Sequence, residues 1–280
     1  MQVTYSGKDK DPAWGEPPPW RTPEFWDQRA SSFAEHDKGS GYADAFMKII
    51  AMEPDWNVLD VGSATGTLAI PLAKKAKSIT ALDFSGKMLE LLRKRCDDSG
   101  VDNIRTVHGR WEDDWQSLGI IPHDVVIASR SMPLGSARTA IAKLNEYARR
   151  RVYAVVAAGN GPRDSRVYEA IGRDFNPPSH YGEINLMLTQ LGLCASNAFI
   201  SYEDTSSYEN HEEAFESLNR SIPDISTQEE EKLKSFLRQN LVLKDGRWKL
   251  FPVREIRWAV IWWDKDRNKE EVMSSITAEI

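Results

Sequence analysis

Apolar residues in this chain fall into short compact runs, and stretches with helical spacing separate one run from the next. "WNVLDV" (56–61) predicts a strand, followed by a helix over 67–76; "SITALD" (78–83) predicts a second strand, followed by a helix over 85–98. "NIRTVHG" (103–109) reads as a third strand and "WEDDWQSL" as a short helix, before the buried strand "HDVVIAS" (123–129). A helix over 136–149 and the strand "RVYAVVAA" (151–158) complete five βα-type units. Alternation of this kind requires a parallel sheet covered by helices on both faces.

The ends of the chain depart from that rhythm. Residues 1–22 hold "DPAWGEPPPW", where proline forbids regular helix and predicts an extended tail. Structure is expected from Thr22, an N-cap ahead of Pro23, with Phe25, Trp26, Arg29 and Phe33 spaced along one helical face. A second helix is expected over about 42–52, giving a helical segment 23–52 ahead of the first strand. After 158 the pattern predicts a helix over 181–192, a strand near 197–204, and helices near 210–220 and 227–241. Asp245-Gly246 marks a hairpin turn, and "EIRWAVIWWDK" (255–265) is an aromatic-rich strand before a charged tail, 266–280. The reading is thus one domain over 23–265, with a helical insertion at 206–254.

Composition narrows the function. The chain of 280 residues carries a net charge of −6, which disfavours nucleic acid and anionic membranes as partners. The basic triplet Arg149–Arg151 is read as the cationic end of a helix rather than a nucleic-acid patch. No run approaches the ~18 apolar residues of a membrane span, and no basic segment followed by an apolar one opens the sequence. Two cysteines, Cys96 and Cys194, form neither a disulfide framework nor a metal pattern, so a reduced cytoplasmic setting without a metal is expected.

Chemistry concentrates where the first strand runs into Gly62, Ser63, Ala64, Thr65 and Gly66. A small-residue turn opening a helix offers unpaired N–H groups and partial positive charge to a polar ligand. The dinucleotide fingerprint G-x-G-x-x-G is not met, because the last small residue arrives one position early. Asp83 ends the second strand beside this turn, where an acid can accept hydrogen bonds from both ribose hydroxyls; N-capping of the next helix is the alternative.

In order along the chain, "VLDVGSATG", "ALDFSGKML", "HGRWEDDW" and "HDVVIAS" resemble the class I S-adenosylmethionine-dependent methyltransferases, over residues 22–204 with "WAVIWWD" as the last strand. The resemblance implies a three-layer αβα sandwich with a seven-stranded, mostly parallel sheet, its last strand antiparallel, an N-terminal helical lid and a helical insertion before that strand. It implies S-adenosylmethionine as cofactor and S-adenosylhomocysteine as product. Asp60 would lie beneath the methionine portion, Gly62, Ser63, Ala64 and Gly66 would line it, and Asp83 would bind the ribose. Phe84 and Met88 would flank the adenine, with Arg110, Trp111 and Glu112 at its edge. Ser129 would sit under the sulfonium, and Arg29 would approach the cofactor carboxylate from the lid. The amino-methyltransferase motif (D/N)PP(Y/F) is absent: the fourth strand ends "SRSMPL".

The expected reaction is methyl transfer to a small-molecule acceptor by in-line displacement, driven by positioning and desolvation. A base helps only where the acceptor is an alcohol or phenol, and His180, Tyr181 and His36 are the candidates. The acceptor pocket is expected from the N-terminal helices, the segment after 158 and the insertion; Trp26, Trp111 and Trp115 are candidate lining residues. Two other classes stay open. One is a nicotinamide- or flavin-dependent oxidoreductase, and the other a protein that binds S-adenosylmethionine without catalysis.

Overall fold

Strand β1 (Asn57–Val61) is buried along nearly its whole length, as a strand covered on both faces must be. It lies between β2 (Ser78–Asp83) and β4 (His123–Ser129), both parallel to it. With β3 (Ile104–His108), β5 (Ala148–Ala157), β6 (Ala195–Glu203) and β9 (Glu255–Asp264) these form one seven-stranded sheet of order β3-β2-β1-β4-β5-β9-β6. The last strand, β9, is antiparallel to both neighbours and fills the slot between β5 and the edge strand β6. The structure is a computed structural model, and it describes residues 22–37, 41–175 and 180–265. The tails expected over 1–22 and 266–280 lie outside it, apart from Thr22, whose side-chain oxygen accepts the Phe25 N–H at the start of α1 (Pro23–Asp37).

Side chains alternate across the strands. Val58, Ile79, Val125, Ile127, Tyr153 and Val155 meet α2 (Tyr42–Ile49) and α3 (Ala69–Ala73) on one face. On the same face α4 (Gly86–Ser99) packs Leu89 and Leu92 over Ala81. Leu59, Val126, Val152 and Ala154 face the other way, into α5 (Ala137–Tyr147) and α7 (Tyr181–Gln190). The result is the three-layer sandwich.

The insertion packs against α6 (Ser165–Ile171) around a separate small core. Here α6, α8 (His211–Asn219), α9 (Thr227–Asn240) and the hairpin β7 (Leu241–Lys244)–β8 (Arg247–Leu250) bury Val167, Phe215, Leu233 and Leu237 together. Asp245 and Gly246 turn that hairpin with φ of 52° and 75°, the two left-handed residues a two-residue hairpin loop needs. Among the described residues no helix is long and apolar enough to cross a membrane.

Two local expectations fail. The segment read as a helix, "WEDDWQSL", is a series of turns, because Trp115 points into the core and donates its ring N–H to the Arg110 carbonyl. Arg149–Arg151 do not end a helix. They lie in β5, where Arg150 pairs with Asp124 and Arg151 grips Asp264 of β9 through both carboxylate oxygens. Strand pairing brings Arg150 and Arg151 to these acids, which a reading by helix dipole could not foresee.

Candidate active site

The first, second and fourth strands end together, and on one face their last side chains are polar: Asp60, Asp83 and Ser129. Alternation puts all three on the face that carries Val58, Ile79 and Ile127, beneath α2. Tyr42, at the start of α2, shares a hydrogen bond of 2.7 Å with Ser129 Oγ. Arg130 follows with φ of 59°, so its guanidinium folds back 4.1 Å above the Tyr42 ring. Neither Tyr42 nor Arg130 was singled out by sequence.

The turn after β1 is held from below. Gly62 and Ser63 donate N–H groups to the Leu82 carbonyl, and the Ala64 N–H reaches Asp83 Oδ2 at 2.8 Å. Gly62, Ala64 and Gly66 all have positive φ, at 73°, 47° and 84°. The glycines have packing reasons of their own. A Cβ on Gly62 would stand 2.3 Å from Ser131 Cβ, and one on Gly66 would stand 2.3 Å from Leu92 Cδ1. Ser131 earns its approach by donating its hydroxyl to the Val61 carbonyl.

Electrostatics set this turn apart from ordinary packing. Asp60 is buried, and its pKa is pushed up to about 7 by burial and by the nearby Asp83, against the pull of Arg130. Burial also raises Asp83, opposed by N–H groups from Ser85, Ala64 and Phe84. Burial pushes Tyr42 up to about 12, so it remains a phenol at neutral pH. Two buried acids side by side, with a buried Ser63 hydroxyl that has no hydrogen-bond partner among the described residues, leave polar capacity facing the turn. That capacity fits a ligand with a cationic amine and ribose hydroxyls, as S-adenosylmethionine has.

The segment after β3 closes one side. The Gly109 N–H bonds the Asp83 carbonyl, and His108 Nε2 lies 3.0 Å from the Phe84 carbonyl. Arg110 donates its N–H to Asp113, while Lys143 of α5 donates to the carbonyls of Trp111 at 2.8 Å and Asp113 at 2.6 Å. Glu112 is exposed, and Trp111 packs on the core ring Trp115 at 5.7 Å. Phe84 is half-buried and Met88 fully buried, its N–H held by Ser85 at the start of α4.

Helix α1 crosses above. Its Asp27 accepts hydrogen bonds from Ser85 Oγ and the Lys87 N–H, which locks α1 onto the N-terminus of α4. Arg29 does not reach toward the turn by any contact seen here; it stacks on Phe25 at 3.5 Å and bonds the Phe25 carbonyl. Beside α1 opens a cleft of about 400 Å³ between Phe25 and Trp26, the segment after β5, and the insertion. Trp26 thus lines a cleft, whereas Trp115 is core.

The histidine and tyrosine candidates stand apart from the acids. His180 precedes α7 and lies 3.4 Å from Glu183, and Tyr181 packs against Phe199 of edge strand β6. That strand is three spacings from β4, about 14 Å at the usual interstrand distance. The His36 side chain lies outside the described residues. Among the described residues no cluster of His, Cys, Asp or Glu could hold a metal.

The profile of a methyltransferase domain matches residues 58–151. An uncharacterized protein of Haemophilus influenzae is 32% identical over 247 residues, covering 86% of this chain and 89% of that protein. A ribosomal RNA small subunit methyltransferase G of Cytophaga hutchinsonii is 35% identical over 68 residues, 24% of this chain and 33% of that one. In fold, the YcgJ protein of Bacillus subtilis superposes with a TM-score of 0.53 at 15% identity, covering 79% of this chain and 97% of that one. The ribosomal RNA likeness means that the exclusion of nucleic acid, drawn from net charge, does not carry over as a finding.

Proposed function

The chain belongs to the class I S-adenosylmethionine-dependent methyltransferases, and from that premise we propose that it methylates a small molecule seated in the cleft beside α1. The observation that carries this reading is the shared wall: α1 caps the helix next to Asp83 with Asp27 and lines the cleft with Phe25 and Trp26. When bound, S-adenosylmethionine supplies a methyl group already activated on a sulfonium.

The chain's own part is to bind, orient and exclude water. Asp83 would take the ribose hydroxyls, and Asp60 and the Ser63 hydroxyl would face the methionine end beside Gly62, Ala64 and Gly66. Phe84, Met88, Arg110, Trp111 and Glu112 would border the base, and the Ser129–Tyr42 pair would floor the transfer centre. Arg130, rather than Arg29, is the cation whose position at the end of β4 suits the cofactor carboxylate. In-line positioning of this kind supplies a large share of a transfer barrier, about 7–11 kcal/mol in favourable cases. Neither His180 nor Tyr181 is needed for it.

A small acceptor is favoured by the cleft's volume, which lies in the range of small-molecule sites at about 300–1,000 Å³. The likeness to a ribosomal RNA enzyme extends over only 24% of the chain. The test is calorimetric titration of S-adenosylhomocysteine into the wild type and Asp83→Ala, with NAD as control. Saturable binding weakened at least about tenfold by the substitution is expected, a loss of roughly 1.4 kcal/mol. Failure of the wild type to bind, or tighter binding of NAD, would sink the assignment.

A further inference from the structure

The hairpin β7–β8 has two different faces. Leu241, Leu250 and Trp248 turn inward to the core beneath it. On the outer face Val242 stands opposite Lys249, and Lys244 opposite Arg247. The Phe251 N–H bonds the Asn240 carbonyl at 2.9 Å, which extends the ladder and places Phe251 after Lys249 on that outer face. Val242, Leu243, Phe251 and the adjoining Val253 are 41–60% exposed, and they are four of the eight large hydrophobics exposed among the described residues. Scattered exposed hydrophobics are ordinary, but a cluster marks a contact surface.

The cations of this face are not all spent. Among the described residues Lys244 and Lys249 form no hydrogen bond or ion pair. Arg247 donates to the Ser207 carbonyl at 3.2 Å and lies 3.5 Å from Glu209, a pair exposed on both sides and therefore weak. Asp245 in the turn is the hairpin's own acid. The net charge of −6 is an average over the whole chain, whereas screening limits what a docked surface feels to about 8–10 Å.

The apolar strip also leads somewhere. Leu250 and Val253 line the cleft beside α1 together with Phe25 and Trp26, so apolar surface runs from the exposed hairpin into the cleft. A ligand arriving from water gains nothing from such an approach. One dissolved in lipid does, because it need not cross water. Lysines interleaved with aliphatic side chains suit headgroup phosphates above acyl chains. A nucleic acid would call for stacking rings, and Phe251 is the one aromatic residue on the outer face.

We propose that the outer face of the β7–β8 hairpin, with Val253, docks on an anionic lipid bilayer. Lys244 and Lys249 meet the headgroup phosphates, and Val242 and Phe251 enter the acyl boundary. The mouth of the cleft then lies against the bilayer and receives a lipid-soluble acceptor. This last step rests on the methyltransferase reading; the docking does not.

The experiment sediments the full chain with liposomes of phosphatidylcholine alone, or with about one third phosphatidylglycerol, near 0.1 M salt. Binding to the anionic liposomes should be at least about tenfold stronger and should weaken as salt rises. Lys244→Gln combined with Lys249→Gln should remove most of that difference. Phe251→Ser should weaken binding about fivefold and leave the preference for anionic lipid in place. These positions lie outside the core, so each variant should keep its melting temperature and bind S-adenosylhomocysteine within about twofold of the wild type. No sedimentation, equal binding to both liposomes, or binding that survives the lysine substitutions would overturn the proposal. Binding of a uridine-rich single-stranded RNA through the same lysines, with liposomes left unbound, would overturn it in favour of a nucleic-acid surface. The two readings fail separately. Loss of liposome binding removes the docking and leaves the cofactor site, whereas failure to bind S-adenosylhomocysteine removes the cofactor site and leaves the docking.

Discussion

Asp60 is an acid whose environment works against its charge. A buried carboxyl with a pKa near 7 keeps its proton in the folded chain over a range where the unfolded chain, with an ordinary value of about 3.9, has lost it. The unliganded protein should accordingly lose stability as pH rises from about 4 to 7, and Asp60→Asn should flatten that dependence in thermal melts. A cationic amine set against Asp60 would reverse the preference. Binding of S-adenosylhomocysteine at about pH 6 should then release a proton, seen as a binding enthalpy that changes with the ionisation enthalpy of the buffer. A buffer-independent enthalpy would remove Asp60 from the site. Gly62 tests the neighbouring turn differently. Gly62→Ala must bear both a left-handed φ and the approach of Ser131, for a loss of about 2–4 kcal/mol in chemical denaturation. Ser131→Gly in the same chain should return only the packing part.

At the scale of elements, the strand ends were legible and their coverings were not. Alternation and the compact apolar runs placed β1, β2 and β4 within a residue or so, and with them Asp60, Asp83 and Ser129. Tyr42 and Ser129, by contrast, are 87 positions apart and meet only because α2 crosses the sheet at that point. No local period carries that information. The segment after β3 shows a second kind of failure. Its acids and tryptophans fit a helix, but Trp115 finds a core site and Lys143 supplies donors that turns can use. Lys143 is desolvated enough to have a lowered pKa despite Asp113 and Glu112 beside it. Lys143→Met would leave two carbonyls without their donor, at a cost of about 1–3 kcal/mol. Amide exchange should speed up over residues 109–115 far more than in α5, and S-adenosylhomocysteine should bind several-fold more weakly. Uniformly faster exchange would mean that Lys143 supports the fold alone.

Over the whole molecule, two construction principles meet at α1. The proposed cofactor side is the carboxyl end of the sheet, where parallel strands stop in register and leave small residues and acids facing the same space. The proposed acceptor side is assembled from segments after β5, after β6 and before β9, and arginines bind these segments to one another. Arg254 is the main tie, since it joins Asp204 to the carbonyls of residues 161–163. Arg173 does the same service lower down, clamping the end of α6 to Glu229 of α9 at 2.6 Å. The two sides should thus be separable by mutation. Arg254→Met strands a largely buried carboxylate and three carbonyls, a loss of about 3–5 kcal/mol. At the usual conversion for chains above 150 residues, that is a fall of about 6–20 °C in Tm by calorimetry. Because none of those partners touches the turn after β1, S-adenosylhomocysteine should still bind the folded variant within about twofold. A loss of that affinity as well would mean that cleft and cofactor turn form one cooperative unit, with α1 transmitting strain between them through Asp27.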